Sequence, residues 1–590
     1  MTFATRSAFT TRPTLDGSFG MAASTHWLAS QSAMAVLERG GNAFDAAVAC
    51  GLVLQVVEPH LNGPGGDLVG MVAPAGGPSR VLCGQGTAPA EATIDTYRGF
   101  GLDLVPGAGL LAATVPGAFD AWLLLLKDHG TWELADVAEF ALHYAHTGYP
   151  VLPPIARTIG TVRNLFLDSW TTSAENWLTD GATPEAGTLR TSPAWAETLT
   201  RLIAAGTGDS REERIDAVRR EWAEGFIAQE IDRFARTPVR DSSGEDHPGV
   251  LRASDLAGWR ASWEAPVRTS FRGHTVLKPG FWTQGPTLLQ ALSILDGFAD
   301  DELDPGTPGG AHRMLEAMKL AMADREAYYG DSTPAADVLL REEYAAQRRA
   351  LIGESASRDL RPGRIDGLQL RLPATRSATA SAPGTGEPTV ARTGVTKGDT
   401  CHLDIVDRHG NMISVTPSGG WLQSSPYIPE LGFALGSRLQ MMWLDEGLPS
   451  SLAPGRRPRT TLSPTLVERA GVAVLSVGTP GGDSQDQWQL PFLLRVLAGG
   501  LELQQAIDAP SLHSTNAPES FWPRERIPAG VVAEESLGGE LLAELLVRGH
   551  DVTLSSDWTL GRLSAVSRDA DGRLRAAANP RGMQGYAVGR

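Results

Sequence analysis

At Thr400 the chain changes character, and this change constrains the fold more than any other feature of the sequence. Residues 371–399 include Ala374-Thr-Arg-Ser-Ala-Thr-Ala-Ser-Ala-Pro-Gly-Thr-Gly-Glu-Pro388, a small, polar stretch with the composition of a flexible linker. Directly after it, His402 to Val406 and Met412 to Val415 run apolar or alternate around the turn Asp407-Arg-His-Gly-Asn411. That pattern predicts strand, turn, strand. The chain thus divides into residues 1–399, ending in the linker, and residues 400–590.

The first part is predicted to be rich in helix. Apolar residues at helical spacing between Thr25 and Arg39 predict a helix capped by Ser24 or Thr25 and ended by Gly40-Gly41. A second is predicted over Ala43 to Val57, stopped at Glu58-Pro59 and followed by the glycine loop Asn62-Gly63-Pro64-Gly65-Gly66. Further helices are expected over Ala118–His129, Glu133–His146, Ala194–Ala204, Glu213–Thr237 and Gly310–Tyr329. Beyond Thr400, Val472–Val477 reads as β, with helices near Gln487–Ala498 and Leu537–Arg548.

A formal charge of -17 opposes binding to phosphate backbones and anionic membranes, so neither nucleic acid nor membrane is an expected partner. The basic cluster Arg456-Arg457-Pro458-Arg459 is too short to reverse that and reads as a solvated or a substrate-facing loop. Three widely spaced cysteines, Cys50, Cys83 and Cys401, do not form a disulfide framework. With no secretory h-region in Met1–Gly20 and no apolar run long enough for a bilayer, a cytoplasmic location is expected. His143 and His146 lie one helical turn apart, but no third ligand is nearby, so they read as structural or solvated and no metal is implied. Gly63–Gly66 reads as a tight turn or an anion cradle.

A threonine at the junction of a linker and a strand suits a chain that cuts itself. Cleavage before Thr400 would place a free α-amine, with a pKa near 8, beside the hydroxyl of the same residue as its general base. The branched side chain restricts χ1 and helps hold the hydroxyl in place. On chemistry alone this signal is weak, because any strand can begin with threonine.

The surroundings sharpen it. Gly40-Gly-Asn-Ala-Phe-Asp-Ala-Ala-Val-Ala49, Val56-Val-Glu-Pro59, Gly63-Pro-Gly-Gly66, Val115-Pro-Gly117, Ala323-Asp-Arg325 and Tyr329-Gly-Asp331 occur in that order in the first part. Asp399-Thr-Cys-His402, Gly410-Asn411, Arg457-Pro-Arg-Thr-Thr-Leu-Ser-Pro-Thr465, Gly478-Thr-Pro-Gly-Gly482 and Asn579-Pro-Arg581 follow. Over about 550 residues this ordered set resembles the γ-glutamyltranspeptidase family. The resemblance implies an α+β fold, the four-layer αββα sandwich of N-terminal-nucleophile hydrolases. It also implies a zymogen that cuts itself between Asp399 and Thr400 into a large subunit, 1–399, and a small subunit, 400–590.

Carried over by residue, Thr400 is the nucleophile, Ser418 replaces a second threonine that hydrogen-bonds it, and Gly481-Gly482 supply N–H groups to the oxyanion. Thr460 and Thr461 replace paired serines on the substrate carboxylate. No cofactor or metal is implied; the partner is a small-molecule amide or peptide. Three departures concern the acyl pocket. Gln85 stands where the family has an arginine on the substrate carboxylate, which removes a charge-assisted clamp. Gly420 replaces an asparagine. The acid that holds the substrate ammonium falls near Met441, with Arg438 close by, either pairing another substrate carboxylate or forming a structural ion pair. Cys401, in place of a threonine, reads as a small packed side chain.

Three readings follow: γ-glutamyl transfer or hydrolysis (glutathione among its substrates), acylase action on a non-glutamyl amide, or a catalytically silent member. Loss of both α-substituent contacts favours an acyl group other than a standard γ-glutamyl. The purified protein is therefore expected to turn over γ-glutamyl-p-nitroanilide poorly; robust release of p-nitroaniline would overturn that expectation.

Overall fold

The structure, a computed structural model, describes residue 3 and residues 9–374, 400–581 and 585–590. Asp399 and the linker beyond residue 374 lie outside the described residues. Two seven-stranded sheets form the centre. One runs, in spatial order, Leu15–Gly17, Leu574–Ala578, Ser564–Arg568, Val472–Gly478, Thr465–Arg469, His274–Lys278 and Val267–Phe271. The other runs Tyr586–Gly589, Gly20–Ser24, Leu403–Asp407, Met412–Ser418, Asp67–Ala73, Arg80–Gly84 and Ser262–Glu264. Neighbouring strands in both are antiparallel. Residues on either side of position 400 contribute strands to each sheet.

Three apolar cores separate four layers. Between the sheets lie Met21, Val69, Met71, Val406, Met412, Leu466 and Val566, among others. Leu403, Ile405, Ile413 and Val415 point the other way, into helices Trp27–Glu38, Ala43–Val57 and Ala118–His129. Helices Pro286–Leu295, Pro308–Tyr328 and Gln485–Leu493 cover the opposite sheet. The period-two alternation of a strand therefore sorts residues 400–418: odd positions face helices and even positions face the other sheet. This is the expected αββα sandwich.

Most predicted helices occur where the periodicity placed them. The cap of the first is His26, whose Nδ1 accepts from Leu28 N, not Ser24 or Thr25. Ala43–Val57 is held by a capping box in which Asn42 accepts from Phe44 N and Asp45 N, while Asp45 accepts from Asn42 N. The single helix expected over Glu213–Thr237 is two, Arg211–Glu224 and Phe226–Ala235, interrupted at Gly225. The helix expected over Gln487–Ala498 begins at Gln485 and becomes a π-turn over Leu494–Ala498, after Pro491 has removed a backbone donor. Pro153–Asp168 and Pro286–Leu295 are additional helices. Among the described residues no helix is long and apolar enough to cross a membrane.

His143 and His146 are both exposed. His312, Glu316 and His550 stand close enough to face one cation. Glu316, however, already accepts from Lys319, Ser357 N and Arg361, so this trio is a hydrogen-bonded set in a cationic neighbourhood. Gly353 O accepts from His312 Nε2, which leaves Nδ1 to accept from His550 Nε2 at 2.9 Å. Burial, with Lys319, His312 and Arg548 adding to it, lowers the His550 pKa to about 3 from the usual 6.5.

The folded state therefore keeps His550 neutral, while the unfolded chain takes up its proton below 6.5. The stability this contributes is complete above pH 6.5 and is lost as pH falls toward 3. His550→Gln is expected to reduce the slope of unfolding free energy between pH 6 and 4.5 by about 1.4 kcal/mol per unit. Urea unfolding at several pH values reads this directly, and an unchanged slope would mean that His550 titrates normally in the fold.

Candidate active site

Thr400 and Ser418 meet at the open end of the hairpin whose turn is built at Asp407. The Asp407 carboxylate accepts from His409 N, Asn411 N and Asn411 Nδ2, and also from Ala43 N, so it ties the turn to the start of a helix. Gly410, at φ 90°, supplies the left-handed residue of that turn. With the register set there, Leu403 pairs with Val415 and Thr400 with Ser418. The Thr400 and Ser418 hydroxyls lie 3.1 Å apart and both side chains are buried.

Two further polar rungs follow on the same face. His402 Nδ1 meets Thr416 Oγ1 at 2.9 Å, and Ser414 Oγ donates to Asp404 Oδ1 at 2.8 Å. His402 Nε2 reaches Asp404 Oδ2 at 2.9 Å, and Ser476 and Ser564 donate to the same carboxylate from the facing sheet. Gly478 lies against the His402 ring; a Cβ there would fall 2.2 Å from Cε1. Sequence reasoning missed this ladder. Its only trace is the alternation of Thr400, His402 and Asp404 in a segment that otherwise reads as core.

Cys401 points the opposite way and is packed, as expected of a small buried side chain. Its Sγ donates to Glu58 Oε2 and accepts from Asn62 Nδ2, both at 3.1 Å. The glycine loop that follows Asn62 serves close approach of two backbones. A Cβ on Gly66 would meet Ser418 O at 2.2 Å, and one on Gly63 would meet Gly420 O at 2.6 Å. Gly419 and Gly420 answer with φ of 72° and 65°.

Gly481 and Gly482 open a 3-10 turn, Gly482–Ser484, leading into helix Gln485–Leu493, whose N-terminal dipole favours negative charge. Gly481 has φ 135°, and a Cβ there would lie 2.2 Å from Trp488. The next residue, Asp483, is bound by Arg325 and accepts from Ser520 N and Oγ, each at 2.7 Å. Burial acts to raise its pKa, but the Arg325 charge and the Ser520 hydrogen bonds outweigh it and hold the carboxyl below the usual range.

The acyl-pocket candidates divide. Thr460 Oγ1 accepts from Leu462 N at 3.3 Å, whereas the buried Thr461 hydroxyl has no protein partner among the described residues. Gln85 is buried and donates to Gly86 O at 3.1 Å. Arg438 is held by both oxygens of Asp67, at 2.7 and 2.9 Å, and its Nη1 faces Met441 Sδ. Since Asp67 pairs with Ser418 across the sheet, this ion pair abuts the residue that meets the Thr400 hydroxyl. The basic cluster is not a solvated loop. Arg456 is exposed, but Arg457 binds Glu264 and Asp331, and buried Arg459 binds Glu326 at 2.9 Å. The short spacing of the three arginines hid these partners, which come from distant segments.

Known proteins resemble this chain in sequence and in fold. The chain is 30% identical to the glutathione hydrolase-like YwrD proenzyme of Bacillus subtilis (strain 168), over 97% of this chain and 99% of that one. It superposes on the solved structure of LmbA2991HD with a TM-score of 0.93 at 56% identity, covering 99% and 100% of the two chains. It also superposes on the cephalosporin acylase of Bacillus halodurans with a TM-score of 0.82 at 27% identity, covering 99% and 98%. The gamma-glutamyltranspeptidase model matches residues 29–589, and the chain is a hydrolase/acyltransferase that belongs to the γ-glutamyltranspeptidase family.

Proposed function

We propose that the chain cuts itself between Asp399 and Thr400 and then cleaves a small-molecule amide through an acyl ester on Thr400. The observation that carries this reading is the 3.1 Å contact between the Thr400 and Ser418 hydroxyls at the end of a buried hairpin. Once freed, the Thr400 amine takes the proton of its own hydroxyl as Oγ1 attacks the amide carbonyl. Ser418 orients that hydroxyl, and the Gly481 and Gly482 N–H groups receive the oxyanion, a contribution of about 3–4 kcal/mol to transition-state stability. Collapse expels the amine with the proton, leaving the acyl ester; water or a second amine then takes the acyl group.

The acyl group we propose is not a standard γ-glutamyl, and glutathione is not the preferred substrate. Met441 offers no charge to a substrate ammonium, Gln85 offers none to its carboxylate, and Asp67 already occupies Arg438. The likeness to an acylase structure supports the same direction. All three cysteines are free and buried, which suits the cytoplasmic location we assign.

Two measurements test this reading. Intact mass spectrometry of freshly purified protein is expected to give two fragments meeting at Asp399/Thr400, and one chain for Thr400→Ala; a single uncut chain in both would favour a silent family member. Asp483→Asn removes a charge from a buried ion pair while keeping its shape. It is expected to cost about 2–3 kcal/mol of stability in denaturant unfolding and to lower kcat through the adjoining Gly481-Gly482. An unshifted unfolding midpoint with full activity would mean that Arg325 does not hold this loop.

A further inference from the structure

Thr400 and the Gly481-Gly482 loop belong to different sheets. Thr400 leads into strand Leu403–Asp407, whereas Gly481 and Gly482 follow strand Val472–Gly478 of the facing sheet. The layer between the sheets is mainly apolar, with Met21, Val69, Met71, Val406, Leu466 and Val566 packed together. Apolar burial is non-directional, so it holds two sheets together more firmly than it fixes their shift along one another. A directional link is needed for that.

Asp404 supplies one. It is 0% exposed and sits inside this layer. Its Oδ1 accepts from Ser414 Oγ at 2.8 Å and from Ser476 Oγ. Its Oδ2 accepts from His402 Nε2 at 2.9 Å and from Ser564 Oγ at 2.8 Å. His402 and Ser414 belong to the hairpin that carries Thr400; Ser476 and Ser564 belong to the facing sheet. Two donors on each oxygen fill the carboxylate's lone-pair sites. Further contacts cross at the same place: Ser476 Oγ lies 3.1 Å from Ile413 O, and Ser414 Oγ lies 3.3 Å from Val477 O.

The clamp adjoins both parts of the candidate active site. Ser564 pairs with Gly478, the last residue of the strand that leads to Gly481. Gly478 in turn lies against the His402 ring, where a Cβ would fall 2.2 Å from Cε1. Because Asp404 accepts from His402 Nε2, that nitrogen carries the hydrogen, and Nδ1 faces Thr416 Oγ1 at 2.9 Å. The next rung along the same face is Thr400 with Ser418 at 3.1 Å.

We propose that Asp404 is a positioning residue: by tying Ser476 and Ser564 to the Thr400 hairpin, it sets where the Gly481 and Gly482 N–H groups stand relative to Thr400 Oγ1. It acts through its neighbours and touches no reacting atom. This rests on the acyl-Thr400 reading above and deepens it. Oxyanion donors act over about 2.7–3.1 Å, and a misplacement of about 1 Å costs about a hundredfold in rate. Sliding one sheet against the other would strip donors from a buried carboxylate, and that cost resists the shift.

The test is steady-state hydrolysis of p-nitrophenyl acetate by the self-cleaved protein, with Thr400→Ala giving the background rate. An acetyl group asks nothing of the acyl pocket, so the readout isolates the nucleophile and the oxyanion donors. Asp404→Asn keeps the shape but turns an amide NH2 toward two donors. It is expected to lower kcat about 30- to 100-fold and to leave KM within about twofold. Ser564→Ala is expected to lower kcat about fivefold in the wild-type background, and by less than about twofold once Asp404→Asn is present, because the serine acts through the carboxylate. Leu574→Ala is the control. Leu574 is buried in the same layer but pairs with Arg568, at the other end of the strand that Ser564 begins. It is expected to lower Tm and to keep kcat within about twofold.

An unchanged kcat in Asp404→Asn, independent effects of Asp404→Asn and Ser564→Ala, or an equal kcat loss in Leu574→Ala would overturn the proposal. Should Asp404→Asn fail to fold or to cut itself, equal kcat values in Ser564→Ala and Leu574→Ala would count against it in the same way. Thr400-dependent turnover that Asp404→Asn leaves intact would remove the clamp alone. A wild type no faster than Thr400→Ala would remove the acyl-Thr400 reading, and the clamp's part in it.

Discussion

The pairing of Thr400 with Ser418 depends on a register set at the other end of the hairpin. Asp407 fixes the turn through three hydrogen bonds and reaches a fourth donor at the start of helix Ala43–Val57. A slip by one residue would exchange the two faces of both strands. Leu403, Ile405, Ile413 and Val415 would then leave the helical core for the intersheet layer, and Thr400, His402 and Asp404 would be driven into an apolar layer. The cost of burying those polar groups unpaired is what makes the register unique. Core packing and the placement of Thr400 opposite Ser418 are thus consequences of one constraint.

Around that hairpin, buried charge is distributed in two ways. Asp67 with Arg438 and Asp483 with Arg325 are closed pairs that fix loops against the ends of strands or helices. Arg524 is an open cation, satisfied on one nitrogen by two carbonyl oxygens and unpaired on two others. The closed pairs contribute geometry. Arg438 attracts attention in the sequence because it stands near a position of known importance, yet its fork is filled by an acid 371 residues earlier in the chain.

Much of the architecture was legible in residues 1–590 because local physics controls it. Helical periodicity placed Ala118–His129 and Ala43–Val57 to the residue, and the Asn42–Asp45 capping box is a local motif. Alternation around Asp407–Asn411 marked the hairpin. Gly225 and Pro491 show where a periodic reading fails: each sits inside an apolar pattern that continues past it, yet the helix is interrupted at Gly225 and turns to π-type hydrogen bonding after Pro491.

The sequence by itself determined that a threonine opens a strand directly after a linker, that helices dominate the first part, and, through an ordered set of motifs, which family the chain resembles. Tertiary structure decided which charges are spent and which remain. It joined Asp67 to Arg438, Arg325 to Asp483 and Glu326 to Arg459 across separations that no local pattern encodes, and among the described residues it left Arg524 without an acid. The physical reason is range. Periodicity and capping act over a few residues along the chain, whereas the pairing of buried charges is settled only when distant segments exclude water from the same place.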